Sequence, residues 1–262
     1  METAACDEEY EPSSEYDSSF ALQIFAAREA VFKILAKESL SIHEKLIVIL
    51  DMGSKIQQCI NTDEYDNIKS VVNDYLKEGI AHTLDETRNL SDSGQFEDIS
   101  LQQGIRQILY PYEEMEVLNP EWEVILKDII DSLFEQMSDE EYNILNEEFG
   151  TYMVSRAYEY RQLLEYLVFR YFAKSIYDYD FLGKCQMLVT NFFVIRQMDI
   201  IRWLDNHREY SFKDRMDVVH IFSRQVEYSE DNIENLYEDF IFDDIFKTDS
   251  LIAILWIDSE NI

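Results

Sequence analysis

The sequence predicts an all-α fold, an irregular multi-helix bundle with long C-terminal helices. Three observations carry that prediction. Six glycines and three prolines among 262 residues leave few turn signals, and neither Asn-Gly nor Asp-Gly occurs. Apolar residues recur at three-to-four spacing along most of the chain. Helix-start patterns recur as well, Ser41 with Glu44, Asn119 with Pro120, and Ser138 with Glu141.

Taken in order, residues 1–18 combine seven carboxylates with Ser and Pro and lack apolar periodicity, which predicts a flexible acidic tail. Residues 19–262 then read as one helical domain. FALQIFAAREAVFKIL, from Phe20, is a helix with one buried face. A second starts at Ser41, whose hydroxyl and the Glu44 carboxylate can satisfy the first free backbone donors. A third covers EYDNIKSVVNDYLKEG and ends at Gly79, where a left-handed cap suits glycine. NLSDSGQFEDIS, Asn89 to Ser100, is polar and is the best subdomain boundary, near 89–100. Asn119 and Pro120 open EWEVILKDIIDSLF, and Ser138 opens a stretch broken near Gly150 that then runs through RAYEYRQLLEYLVFRYFAKSIYD. A helix from about Phe181 to Leu204 follows, then one from Ser211 with Asp214 as a shorter capping box, then SEDNIENLYEDF and a terminal helix around SLIAILW. No repeat of fixed period is present, which disfavours a solenoid.

The charge balance narrows the partners. Fifty-four acidic residues against 22 Lys and Arg give a formal charge of −32, which repels phosphate backbones, so no nucleic acid is expected. Cys6, Cys59 and Cys185 are odd in number and far apart, with neither a disulfide framework nor metal spacing. The opening METAACDEEYEP is acidic where a signal peptide is basic and then apolar, and the longest apolar runs are far below the roughly 20 residues that span a bilayer. The expectation is a cytoplasmic protein with no membrane contact and no metal.

Catalytic signatures are absent: no phosphate-binding loop, no GxGxxG, no HExxH and no GxSxG. His43, His82, His207 and His220 are scattered, and each reads as a surface or satisfied side chain. Polar stripes on apolar helices are the better candidates. Arg196, Asp199 and Arg202 sit three apart in NFFVIRQMDIIRWL. His220, Arg224 and Glu227 follow four-then-three spacing in VVHIFSRQVEYSEDN, leaving Val219, Phe222 and Val226 to pack. Arg170, Lys174 and Asp178 lie four apart among seven aromatic rings between Tyr166 and Cys185, each about 40° around the helix from the one before. Either these stripes are interhelical ion pairs and a solvated edge, or they face one another across a groove and hold a substrate.

The order of motifs after Tyr158, YEYRQLLEYLVFRYFAKSIYDYDFLGK, then NFFVIRQMDIIRWL, then DVVHIFSRQVEYSEDNIENLYEDF, resembles the C-terminal helical region of the flagellin lysine-N-methylase family. AREAVFKILAKESLSIHEKLIVILDMGSKIQQCI and LYPYEEMEVLNPEWEVIL resemble the middle of those proteins. The resemblance implies transfer of a methyl group from S-adenosylmethionine to lysine ε-amines of flagellin, with flagellin or another protein as partner. On that reading Arg170, Asp178, Arg196, Asp199, His220, Arg224 and Glu227 are the candidate substrate-binding residues, and the catalytic residues are not assigned. Family members typically begin with a cysteine-rich segment that looks able to hold a metal or iron–sulfur centre; this sequence has none, so the chain alone is expected to be weakly active or inactive. The alternative is a non-catalytic helical module that docks proteins between its helices.

Overall fold

The computed structural model describes residues 18–92 and 100–260, and every regular element within them is helical. The acidic tail, apart from Ser18, and the centre of the expected boundary at 89–100 lie outside the described residues. Ser18 already opens α1, Ser18–Leu35. α2, Ile42–Asn61, starts where Ser41 predicts: its hydroxyl accepts from Glu44 N at 3.1 Å and the Glu44 carboxylate accepts from Ser41 N at 2.8 Å. The same reciprocal pair opens α7, Asp139–Met153, at Ser138 and Glu141, and α11, Phe212–Phe222, at Ser211 and Asp214.

Gly79 does not end a helix. α3, Ile68–Asp74, passes into a π-helical turn at Tyr75–Gly79 and on into α4, Ile80–Asp92. An added Cβ at Gly79 would stand 3.0 Å from the Asp74 carbonyl oxygen, so glycine there serves the wide turn rather than a left-handed cap. α5, Leu101–Glu113, was hidden in the sequence by Gly104 and by Pro111, which the helix tolerates in its last turn. α6, Pro120–Ile129, has the expected asparagine cap and first-turn proline, and it too ends in a π-helical turn, Ile130–Glu135.

The stretch read as one helix through Asp178 is in three pieces. The break falls at a tight turn, Val154–Arg156, and not at Gly150, which is buried inside α7. α8 covers Ala157–Tyr171, a second tight turn covers Phe172–Lys174, and α9 covers Ser175–Asp178 before Tyr179 turns left-handed at φ 55°. Arg170, Lys174 and Asp178 therefore share no single straight helix.

α10, Leu182–Asp205, is the axis of the fold. All residues from Gly183 to Ile201 are buried, as befits a helix apolar on nearly every side. It packs against α2, α5, α6, α8 and α11, and also against α12, Glu230–Phe242, and α13, Thr248–Glu260. At 24 residues it holds the length expected of the C-terminal helices, since α11 has 11 and α12 and α13 have 13 each. α13 covers α2 with the buried run Leu251–Trp256.

Candidate functional site

The three polar residues of α10 reach three different surroundings. Arg196, 2 % exposed, donates to Asn146 Oδ1 and to the Asn146 carbonyl at 3.3 Å. Asn146 in turn donates to Asp258 Oδ1 at 2.5 Å, and His43 Nε2 lies 2.7 Å from Asp258 Oδ2. This cluster ties α2, α7, α10 and α13 together. Burial alone would raise the Asp258 carboxyl; Arg196, His43 and Asn146 outweigh it and hold the group well below the usual carboxylate range.

One turn further on, Asp199 is wholly buried and accepts from the Tyr160 hydroxyl at 2.6 Å, from the Tyr210 hydroxyl, and from Arg215 Nη1 at 2.5 Å. Arg215 Nε also donates to Glu159 at 3.1 Å, and Glu159 accepts from Arg156 at 2.8 and 3.1 Å. The guanidinium lies over the Tyr160 ring, 4.4 Å from its centroid. Burial raises the Asp199 carboxyl above its ordinary value while Arg215 and the two hydroxyls pull it back; Arg215 itself is held charged by Asp199 against its own burial. The geometry is that of a lock between α8, α10 and α11, in which Arg215 Nη2 alone is buried without a partner among the described residues of the cluster.

Arg202 emerges at the end of the buried helix and lines a groove of about 630 Å³ between α6, α10 and α11. Ile125, Ile201 and Ile221, all buried, form its apolar floor. Its charged walls come from one face of each neighbour: Glu121 and Asp128 on α6, Arg202 and Asp205 on α10, Asp217 and His220 on α11, and Arg224 just beyond. Arg224 stands in a π-helical turn, Ser223–Glu227, and that turn separates the expected stripe. His220 and Arg224 stay exposed at the groove, whereas Glu227 rotates inward, accepting from Tyr166 at 2.8 Å and Tyr171 at 3.2 Å and pairing with Arg170 at 3.0 Å. Phe222 and Val226 pack inside as expected, and Val219 is half-buried.

Asp178 belongs elsewhere again. It lies 2.7 Å from the ammonium of Lys184, a lysine only 1 % exposed that also faces Asp180 at 3.5 Å and the Tyr237 ring at 3.9 Å from its centroid. Of the seven candidates, then, Arg170 pairs with Glu227, and His220 and Arg224 line one groove, but Arg196, Asp199 and Asp178 each have separate partners. Sequence reasoning missed Asn146, Glu159, Arg215, Lys184 and Asp258, while His43, read as a surface or satisfied side chain, is buried and satisfied by Asp258. Arg215 could have been suspected from its place in FKDRMDVVHIF, three residues before Val218 and seven before Phe222, in the register of the buried face.

Among the described residues no group of three or more His, Cys, Asp or Glu is placed to hold a metal ion, and no helix is long and apolar enough to cross a membrane. Cys59 and Cys185 are free thiols. No curated protein and no solved structure matches the chain significantly. A family model does match: that of the FliB lysine N-methylase C-terminal domain, over residues 28–254, from the middle of α1 to α13. A match across that much of the helical body identifies the chain as a member of the FliB lysine N-methylase C-terminal domain family.

Proposed function

We propose that this protein serves the methylation of flagellin lysines in the cytoplasm, supplying the helical part that holds the lysine-bearing segment. Family membership over residues 28–254 is the observation that carries the reading. Methyl transfer to a lysine needs the ammonium held in line with the donor and relieved of its proton, which favours a site offering carboxylates and a fixed geometry. The rigid α10 scaffold with a carboxylate-lined groove at its end supplies that combination.

The donor implied by the family, S-adenosylmethionine, does not fit the cavity between α2, α7, α8 and α10. That half-open cavity, of about 250 Å³, has walls such as Ile42, Phe149 and Phe192, while its polar groups on His43, Tyr160 and Arg196 are engaged by Asp258, Asp199 and Asn146. The Arg196 guanidinium there would also oppose a sulfonium cation. Deleting the gene from its source cells and weighing flagellin from the filaments tests the reading: methyl-lysine should disappear, and flagellin that keeps its methyl groups would overturn it.

A further inference from the structure

We infer that the groove between α6, α10 and α11 is a binding site for an extended peptide carrying a lysine about three residues from an acidic side chain. The inference rests on the methylase reading only for the identity of the natural peptide; the groove's own chemistry carries the rest. Three observations converge on it.

The first is charge left without partners. Asp128, Asp205, Asp217, Arg202 and Arg224 line one groove, yet none of them makes an ion pair with another described residue. Elsewhere in this protein arginines facing carboxylates do pair, as Arg215 with Asp199 and Arg170 with Glu227.

The second is a buried donor without an acceptor. Asn119 lines the groove and is 5 % exposed. Its Oδ1 caps α6 by accepting from Glu121 N at 3.2 Å, and its backbone N–H donates to Gln225 Oε1 at 3.2 Å. Gln225, wholly buried, also accepts from Leu118 N at 2.9 Å and donates to the Glu116 carbonyl at 2.7 Å, so the asparagine is fixed from both sides. Its Nδ2 is buried and has no hydrogen-bond partner among the described residues. An unmatched buried donor is costly unless a ligand accepts from it.

The third is polarity along the groove. The Asn119–Gln225 bond sets the start of α6 beside the end of α11, which gathers Asn119, Glu121, His220 and Arg224 at one end. Asn206 donates to Asp214 at 2.9 Å, which sets the end of α10 beside the start of α11 and brings Asp205 and Asp217 to the other. Glu121 to Asp128, seven residues of helix, is about 10 Å. Three residues of extended chain span the same length. A lysine can therefore lay its methylene stem on the isoleucine floor with its ammonium between Asp128 and Asp217, near Asp205, while an acidic side chain three residues away meets Arg224 and a backbone carbonyl accepts from Asn119 Nδ2.

The test is fluorescence anisotropy with a labelled peptide containing Lys-Gly-Gly-Asp, against versions with norleucine for lysine and alanine for aspartate. The purified protein should bind the parent peptide about tenfold more tightly than the norleucine version. The double variant Asp128→Asn, Asp217→Asn should erase that preference, and Arg224→Gln should erase the preference for aspartate over alanine, both with an unchanged circular dichroism spectrum and melting temperature. Equal binding of the parent and norleucine peptides, or preferences that survive these substitutions, would overturn the inference. Filament flagellin from cells carrying the double variant separates the two readings. Peptide selectivity without any flagellin methylation leaves the groove and removes the methylase reading; full methylation by the double variant removes the groove and leaves the methylase reading.

Discussion

Arg215 of α11 donates to Asp199 of α10 across 2.5 Å, with both side chains almost wholly shielded from water. Removing one partner of such a pair strands the other in a medium that cannot solvate it. Asp199→Ala also leaves the Tyr160 and Tyr210 hydroxyls without their acceptor. The expected loss is about 3–5 kcal/mol in urea unfolding. Arg224→Ala, on the exposed groove, should leave stability unchanged. Equal small losses for both would mean that the Asp199 lock does not form.

Asp258 gives the fold a predictable acid sensitivity. Its carboxyl is held below the usual range in the folded chain, so the stability it contributes is present above the unfolded value of about 3.9 and is lost as pH falls through the lower folded value. Comparing wild type with Asp258→Asn isolates that contribution from the other carboxylates. The stability gap between them should be full at pH 7 and shrink below about pH 4. A gap that stays constant with pH would contradict the assignment.

Gly53 of α2 is set by the closeness of α10. A Cβ added there would meet Cys185 Sγ at 2.5 Å and Cys185 Cβ at 3.2 Å, and Cys185 is wholly buried. Gly53→Ala should cost about 1–3 kcal/mol. Cys185→Ala in the same chain should return part of that loss, a coupling that a thermal-unfolding double-mutant cycle reads directly. Strict additivity would place the two helices further apart.

Glu227 and Arg170 form a pair whose partners are unequal. Glu227 is buried and accepts from two tyrosine hydroxyls, while nearly half of the Arg170 side chain is in solvent. Glu227→Ala should cost about 2–3 kcal/mol and Arg170→Ala less than about 1 kcal/mol. The Tyr166 hydroxyl, pushed up to about 12 by burial and then by Glu227, should titrate nearer its ordinary value in Glu227→Gln, by ultraviolet absorbance.

Local chemistry was legible in the sequence and long-range chemistry was not. Ser41, Ser138 and Ser211 announce their helices because a cap is settled within three residues. α10 is legible because an unbroken apolar helix has only the centre of the fold to occupy. The π-helical turn at Ser223–Glu227 left no trace in a 3.6-residue pattern, and it is what parts Glu227 from His220 and Arg224. His43 and Asp258 are 215 residues apart, and no spacing rule reaches that far. The groove was half legible: Arg202, His220 and Arg224 stood out as polar stripes, but Asn119 read only as a cap, and Asp205 and Asp217 belonged to no stripe.

The mass of flagellin drawn from filaments tests the central claim most directly, because it reads the chemistry on the substrate itself. Cells with the intact gene should yield flagellin with methyl groups confined to lysines, cells without it should yield none, and cells carrying Asp128→Asn with Asp217→Asn should yield distinctly fewer. Flagellin from the deletion strain with undiminished methyl-lysine would contradict the account.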